Sequence, residues 1–177
     1  MNPRKLTLYI AMSLDGYIAK PNDDLSWLSI VEAEGEDYGY RDFIATVDTV
    51  ILGKRTYDKV LSMGVGFPHE DKDCYVITRT PQAPIGNIKF YTGDLQELVT
   101  KLKAEEGGTI FCDGGAQVVK MLLQHQLIDE FIISIIPILL GDGIRLFHAG
   151  IPEQQVQLVN TKSYKSGLVQ LHYKKKK

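Results

Sequence analysis

Short apolar runs recur along the chain, and most are separated by stretches in which apolar residues return every three or four positions. Runs of about four to eight apolar residues bounded by turn signals are typical of strands buried on both faces. The pattern predicts strands at residues 5–12, 49–52, 74–78, 88–91, 109–112 and 129–136.

The stretches between these runs have the spacing of amphipathic helices. In the first stretch, Tyr40, Phe43, Ile44 and Val47 fall at positions i, i+3, i+4 and i+7. Strands that alternate with helices indicate a parallel sheet covered on both faces. The pattern predicts helices at residues 34–46, 55–62, 95–104 and 116–125.

The C-terminal part of the chain has a different pattern. Two β-type segments, 156–164 and 168–173, flank Gly167, which predicts an antiparallel hairpin at one edge of the sheet. We therefore expect an α/β fold with a mixed, mostly parallel sheet. No internal repeat or linker interrupts the pattern, so a single domain is predicted over residues 1–177.

Composition excludes several classes of function. The chain is 44% apolar and 24% charged, and its formal net charge of −2 disfavours nonspecific nucleic-acid binding. Cys74 and Cys112 lie in apolar runs, which favours two reduced core residues over a disulfide or a zinc site. No apolar stretch reaches the ~18 residues of a membrane span. We expect a cytoplasmic protein without a membrane, nucleic-acid or metal partner.

Glycines and basic residues follow several of the predicted strands. Residues 53–56 (Gly-Lys-Arg-Thr) and 113–115 (Asp-Gly-Gly) each open a helix, and Arg79 follows a third strand. A glycine lets the backbone approach a ligand closely, and a helix N-terminus favours anions. Because ligands of open α/β sheets bind at the carboxyl ends of strands, these turns predict a dinucleotide or phosphate site.

Motifs for other catalytic chemistry are missing. The sequence has no G-x-G-x-x-G after its first strand, no P-loop motif, no G-x-S-x-G elbow and no H-E-x-x-H. The four histidines are scattered and are expected to be surface or rim residues. Phosphate-binding turns with few nucleophiles fit an enzyme whose cofactor supplies the chemistry. Lys54, Arg55 and Arg79 are placed to read a 2′-phosphate, which favours NADPH over NADH.

Hydride transfer often needs one proton donor, and the sequence offers several acids. Asp37 and Asp42 lie near the first predicted helix, with Asp15 and Asp113 as further candidates. An acid in a first helical turn also serves as a surface residue that complements the helix dipole. Both interpretations of Asp37 stay open on composition alone.

A long connection, residues 13–30, follows the first strand, and connections of this length inside a domain are often functional. Its Trp27 is either a rim residue that covers the core or a wall of the substrate pocket. We predict Asp15 and Trp27 as substrate-binding residues. Substrate choice is expected to depend on residues 13–42 and on the loop 137–147.

Five motifs together resemble the dihydrofolate-reductase-like superfamily. They are A-M-S-L-D-G-Y-I at 11–18, D-Y-G-Y at 37–40, V-I-L-G-K-R-T-Y at 50–57, D-G-G at 113–115 and P-I-L-L-G-D-G-I-R-L-F at 137–147. Within this superfamily the chain is similar to the reductase domain at the C-terminus of the bifunctional riboflavin-biosynthesis deaminase/reductase. The P-x-x-x-G-x-G-x-x-L-F spacing is the more specific part and favours this branch over true dihydrofolate reductase.

The resemblance implies a three-layer α/β/α fold, a homodimer and NADPH as the cofactor. By position in the motifs, Ala11 and Ile18 line the nicotinamide pocket, Thr78 and Arg79 flank the 2′-phosphoadenosine, and Asp37 matches the acid that helps to protonate the pterin. The resemblance also implies that two phosphate-facing turns are formed by Gly53, Lys54, Arg55 and Thr56 and by Asp113, Gly114, Gly115, Ala116, Gln117 and Val118.

One departure separates the chain from the bifunctional enzyme. It has no P-C-x-x-C zinc motif and no room for a deaminase domain. We therefore expect an NADPH-dependent reductase of a pteridine-like or ribosylaminopyrimidine-like substrate. One alternative is dihydrofolate reductase proper, which is disfavoured because the folate-binding arginine has no evident counterpart. The other is a nucleotide-binding protein of this fold without reductase activity.

Overall fold

Strands make up the largest part of the regular secondary structure in the computed structural model, which describes residues 4–176. The buried β-branched and apolar residues of the central strands suit a pleated surface covered on both faces. Numbered along the chain, the strands are β1 (Leu6–Ser13), β2 (Tyr17–Ala19), β3 (Val47–Gly53), β4 (Asp73–Ile77), β5 (Ile88–Tyr91), β6 (Thr109–Gly114), β7 (Glu130–Ile136), β8 (Ile144–Arg145), β9 (Val156–Ser163) and β10 (Val169–Lys175).

One eight-stranded sheet has the order β5-β4-β3-β6-β1-β7-β10-β9. The neighbours from β5 to β7 are parallel, whereas β10 runs antiparallel to both β7 and β9. A separate two-stranded sheet pairs β2 with β8. The predicted mixed sheet with an antiparallel C-terminal hairpin is confirmed.

Four helices follow the strands: α1 (Tyr40–Ala45), α2 (Lys54–Ser62), α3 (Leu95–Ala104) and α4 (Ala116–Gln124). The apolar faces of α3 and α4 pack in one core cluster with β1 and β7, and α1 and α2 pack in a second cluster. None of the helices in the described part of the chain has the length and apolar character that a membrane crossing needs.

Alternation along the strands sends side chains into both clusters. In β6, Ile110 and Cys112 face the cluster with α3 and α4, while Phe111 between them faces the cluster with α1 and α2. Ile51 in β3 likewise points opposite to Val50 and Leu52. Successive strand side chains point to opposite faces, so the sheet is the middle of three layers, as the resemblance implied.

The helix predicted at residues 34–46 is wrong in its first half, because α1 begins only at Tyr40. Gly35 and Gly39 adopt left-handed φ values of +75° and +83°, so the chain turns twice before the helix starts. The predicted connection 13–30 contains β2 and two short 3-10 turns, at Pro21–Asp23 and Ser26–Val31. The other predicted boundaries agree with the structure within about two residues.

Both cysteines are buried and unpaired, as predicted, and burial raises the pKa of the Cys74 and Cys112 thiols to about 12. A thiol with a raised pKa stays protonated at pH 8, and the thiolate is the nucleophile. We expect native protein to resist iodoacetamide at about pH 8, while urea-unfolded protein is labelled at both positions. Mass spectrometry measures the labelling, and equal rates in the two states would contradict the prediction.

Candidate functional site

Strand register brings the predicted turns to one edge of the sheet. Gly53 at the end of β3 pairs with Ile77 of β4, and Leu52 pairs with Gly114 of β6. A cavity of about 1440 Å³ opens at this edge. The predicted cofactor residues that line it are Ala11, Ile18, Gly53, Lys54, Arg55, Thr56, Thr78, Arg79, Asp113, Gly115, Ala116, Gln117 and Val118.

The two glycine turns lie against each other. A Cβ at Gly53 would meet Val118 Cγ2 at 3.3 Å and the Gly115 backbone nitrogen at 3.7 Å. A Cβ at Gly115 would meet Thr56 Oγ1 at 3.0 Å. Side chains at these positions would therefore fill the space between the turns. Gly114 does not line the cavity; it is buried, and a Cβ there would touch Ile10.

Helices α2 and α4 both begin at this point, and neither N-terminus has a side-chain cap. Uncapped N-terminal N–H groups and the helix dipole favour an anion, and two such ends suit a diphosphate. The close glycine turns leave room for that group against the backbone. The residues present thus fit the phosphates of a dinucleotide.

The three basic residues predicted to bind the 2′-phosphate differ in their ion-pair partners. Lys54 Nζ lies 2.5 Å and 2.7 Å from the two carboxylate oxygens of Asp58, and Arg55 Nε lies 2.7 Å from Asp23 Oδ2. Arg79 is exposed, lines the cavity and has no ion-pair partner among residues 4–176. A phosphate must compete with a carboxylate for Lys54 and Arg55, but not for Arg79.

The opposite end of the cavity is more apolar. Ala11 and Ile18 line it together with Ile144 of the β2–β8 sheet. There Arg145 lies 4.5 Å from the ring centroid of Tyr17, and its Nη2 donates to the Tyr17 hydroxyl at 2.9 Å. Apolar residues beside a phosphate-binding end suit the two parts of a nicotinamide dinucleotide.

A second cavity of about 370 Å³, called the small chamber below, adjoins the large one. Tyr9, Ala11, Leu28 and Tyr40 line both. The remaining walls of the small chamber are Val31, Glu32, Ala33, Glu36, Asp37, Tyr38, Ser134, Ile136 and Leu168. A molecule in the small chamber would therefore meet the apolar end of the large cavity across these shared residues.

Asp37 lies at the small chamber and not at the large cavity. Its carboxylate accepts the backbone N–H groups of Arg41 and Gly39, each at 3.0 Å, and pairs with the Arg41 side chain at 3.7 Å. The Arg41 N–H, followed by the Gly39 N–H, lowers the pKa of Asp37. The geometry thus favours an ionised residue that caps the first turn of α1. Asp42 is exposed and lines neither cavity.

Sequence reasoning missed Tyr40 as a functional candidate, because its helical spacing marked it as core. The ring packs edge-on against Tyr9 at 5.6 Å, and the hydroxyl has no hydrogen-bond partner among the described residues. Burial, followed by the charge of Asp113, raises the pKa of Tyr40 to about 12. The phenol therefore stays protonated at neutral pH where the two cavities meet.

Asp113 lines the large cavity beneath the Gly114–Gly115 turn. Its Oδ2 lies 3.5 Å from Nε2 of His69, which is buried between Phe67 and Phe111. The expectation that the histidines are surface or rim residues is wrong for His69. No group of three or more His, Cys, Asp or Glu within residues 4–176 could hold a metal ion.

The two residues predicted to bind substrate line neither cavity. Trp27 is only 3% exposed and packs with Val31, Ile136 and Leu168, so the structure supports its interpretation as a core-covering residue. Its neighbour Leu28 lines both cavities instead.

Asp15 holds the loop that follows β7. Its carboxylate accepts the Ser13 hydroxyl at 2.6 Å and the N–H groups of Leu140 and Gly141 at 3.1 Å and 2.7 Å. These bonds, with that of Ser13 the largest, lower the pKa of Asp15 to about 2. The carboxylate thus ties the β1–β2 turn to the loop 137–147.

We expect Asp15→Asn to destabilise the fold at neutral pH, because the amide replaces one accepting oxygen with a donor. A carboxyl whose folded pKa lies below its unfolded pKa stabilises the fold above about pH 4 and loses that effect as the pH falls toward about 2. Urea midpoints of wild type and variant should therefore converge over this range. Asp142→Asn in the same loop is the control, and a pH-independent difference would count against the prediction.

Sequence comparison identifies relatives over nearly the full chain. The family model for the RibD C-terminal domain matches residues 4–170. YwjB of Bacillus subtilis (strain 168) is 45% identical over 171 residues, which cover 96% of this chain and 97% of YwjB. YyaP of the same organism is 30% identical over 187 residues, covering 98% and 96%. Both relatives are named as uncharacterized proteins.

Solved structures share the fold. A protein of Shewanella sp. PV-4, provisionally named for riboflavin biosynthesis, superposes with a TM-score of 0.89 at 29% identity and covers 98% of this chain and 99% of its own. The deaminase/5-amino-6-(5-phosphoribosylamino)uracil reductase of Thermotoga maritima gives 0.72 at 16% identity, and the match covers 98% of this chain but 57% of that one. A pyrimidine reductase-like protein of Corynebacterium diphtheriae gives 0.71 at 14% identity, covering 99% and 93%.

At 16% and 14% identity the last two structures show the fold alone. The family model and YwjB carry the assignment, because each matches most of the sequence. The chain belongs to the RibD C-terminal domain family.

Proposed function

We propose that the protein is an NADPH-dependent reductase that transfers hydride to a pteridine-like or ribosylaminopyrimidine-like ring. One observation carries the proposal: a cavity with two uncapped helix N-termini at one end joins a small, partly aromatic chamber at the other. In this arrangement, a dinucleotide and a second ring occupy adjoining sites. The reductase names of the Thermotoga and Corynebacterium proteins agree with it.

In this proposal each part of the cavity holds one part of the cofactor. The turns at Gly53 and Gly115 hold the diphosphate through backbone N–H groups, and Arg79 contacts the 2′-phosphate. Ala11 and Ile18 cover the nicotinamide. Bound there, the nicotinamide supplies a hydride, and the protein's part is to orient the ring and keep water away.

Reduction of a C=N or C=O group also consumes one proton, which goes to the nitrogen or oxygen. Asp37 and Tyr40 are the two candidate donors, since both line the small chamber. A general acid must be protonated at the moment of transfer. Tyr40 meets this condition at neutral pH, whereas the lowered pKa of Asp37 works against it.

Nucleotide binding and turnover are tested separately. We expect NADPH to bind the purified protein, and NADPH absorbance to fall in the presence of one member of a panel of dihydropterins, aminouracil derivatives and dihydrofolate. Turnover only with dihydrofolate would favour the dihydrofolate reductase alternative. Tight NADPH binding without turnover on any member would favour a nucleotide-binding protein, and failure to bind NADPH would overturn the proposal.

We also propose a homodimer, as the resemblance implied. Strand β9 is the outermost strand of the sheet, and Val156, Leu158 and Val159 on it are exposed. Open edges with apolar residues are natural pairing surfaces. Sedimentation equilibrium should show a dimer that Leu158→Lys weakens, while Val65→Lys leaves it intact, because Val65 is even more exposed but lies in the loop after α2.

A further inference from the structure

The two cavities carry opposite charges along their walls. The large cavity is lined by Lys54, Arg55, Lys59, Arg79 and Arg145, along with a few acids. In the small chamber, within the described residues, every charged side chain on the wall is acidic, and no lysine, arginine or histidine lines it. Phosphate recognition in proteins depends on such cations or on helix N-termini. A phosphate group therefore has a place in the large cavity and none in the small chamber.

The acidic residues of the small chamber are Glu32, Glu36 and Asp37. Glu36 accepts the Tyr38 N–H at 2.8 Å, which fixes its carboxylate beside the chamber. Arg41 is paired with Asp37, but its side chain is 90% exposed and points its charge to solvent. Like charges at close range repel, and water in the open rim only weakens this effect.

The inner wall offers hydrogen-bond donors in place of charges. Ser134 is 6% exposed, and its Oγ accepts Gln170 Nε2 at 3.2 Å. Within residues 4–176 nothing accepts the hydroxyl proton of Ser134, and a buried donor without a partner is costly. The Tyr40 hydroxyl also lacks a partner. Both protons are left for an acceptor on a bound ring.

The rest of the small chamber is mostly apolar. Ala11, Leu28, Ile136 and Leu168 supply aliphatic surface, and the walls enclose about 370 Å³. Small-molecule sites combine such surface with a few placed polar groups. Donors inside and carboxylates at the rim favour a ring with an acceptor on one side and N–H groups on the other.

We propose that the small chamber binds an unphosphorylated, amino-substituted nitrogen heterocycle. Its ring acceptor faces Ser134 and Tyr40, and its amino groups face Glu32, Glu36 and Asp37. The inference rests on the proposed function, in which the large cavity holds the dinucleotide. It narrows the substrate to rings without a phosphate tail.

Matched ligand pairs test this inference directly. Dihydroneopterin and its monophosphate, and a ribitylamino-substituted aminouracil and its phosphate ester, differ only in the phosphate. Calorimetry with saturating NADP⁺, which permits binding but no hydride transfer, gives both affinities. We expect the unphosphorylated member to bind at least ~10-fold more tightly. Equal or tighter binding of the ester, or no binding of either pair, would overturn the inference.

Variants of the small chamber distinguish the effect of its charge from the effect of its shape. Glu32→Lys with Glu36→Lys should abolish or invert the preference, while Glu105→Lys with Glu106→Lys, exposed at the end of α3, should leave it unchanged. Ser134→Ala should weaken both members of a pair equally, because it removes a donor to the ring. An unchanged preference in the Glu32 and Glu36 variant would contradict the charge argument.

The same titrations distinguish failure of the proposed function from failure of this inference. Loss of NADP⁺ binding in the same titrations would remove the reductase proposal, whereas the pairs can still be ranked on the protein alone. A preference for the unphosphorylated member without nucleotide would support the small chamber's selectivity by itself. A preference for the ester under that condition would overturn it.

Discussion

Replacing Tyr40 with phenylalanine is expected to lower turnover ~100-fold or more while leaving NADPH affinity within about two-fold. General acids contribute about 10²- to 10⁴-fold to proton-transfer steps, and phenylalanine keeps the ring but removes the proton. Tyr40 lines both cavities, and its hydroxyl has no partner among the described residues. Single-turnover oxidation of bound NADPH measures the effect, and nucleotide titration of the variant provides the control.

Asp37→Asn and the pH dependence distinguish the two candidate donors. The protonated fraction of Asp37, whose pKa is lowered, falls tenfold per pH unit at neutral pH. Tyr40, with Tyr9 and Asp113 as its titratable neighbours, stays protonated up to a pKa of about 12. Turnover by Tyr40 should therefore stay level between about pH 6 and pH 9 and survive Asp37→Asn. A tenfold decline per unit would assign the proton to Asp37.

Replacing Arg79 with glutamine is expected to weaken NADPH binding by ~10- to 100-fold and NADH binding by less than about two-fold. Hydrogen bonds to charged groups contribute about 1.5–3 kcal/mol, and a phosphate at Arg79 has no competing carboxylate. NADH lacks the 2′-phosphate, so it makes no phosphate contact with Arg79 that the substitution could remove. Parallel titrations with the two nucleotides measure the ratio.

Lys54→Gln is the informative comparison for Arg79. Lys54 is already bound to both oxygens of Asp58, so its removal should cost NADPH less than the removal of Arg79. Arg41→Gln, outside the large cavity, is the control for a general loss of positive charge. Equal weakening of NADPH and NADH by Arg79→Gln would exclude a role in reading the 2′-phosphate.

Local patterns account for the parts of the fold that the sequence predicted well. The runs at β1, β3 and β7 are mostly apolar and largely buried, so their boundaries are visible in the sequence. The turns at Gly53 and Gly115 could be predicted for the same reason, since a glycine at a strand-to-helix junction is a local signal. Parallel pairing then brings such junctions together without further information.

The small chamber could not be predicted because its walls come from distant segments. Pairing of β1 with β7 and of β7 with β10 brings Tyr9, Ser134 and Leu168 together. Leu28 and Tyr40 come from two other segments, the 3-10 turn Ser26–Val31 and α1. No local spacing marks such a set, and each member taken alone is an ordinary core residue.

Capping and turn contacts also escape sequence patterns. Asp37 was predicted inside a helix, but the helix starts later and leaves its carboxylate to accept backbone N–H groups. Asp15 is similar, since its two loop partners are more than a hundred residues away. The sequence shows only an aspartate in each case, and it does not distinguish an acid that accepts backbone N–H groups from one that transfers a proton.

The pairing of β2 with β8 has a mechanical consequence. Tyr17 and Ala19 are bonded to Arg145 and Ile144, Asp15 ties the same turn to the following loop, and a Cβ at Gly143 would collide with the Ala19 carbonyl. Two segments far apart in the chain are thus joined in one two-stranded sheet over the apolar end of the large cavity. A nucleotide that reaches this end meets a wall made of both segments, so any widening of the passage must move both segments at once.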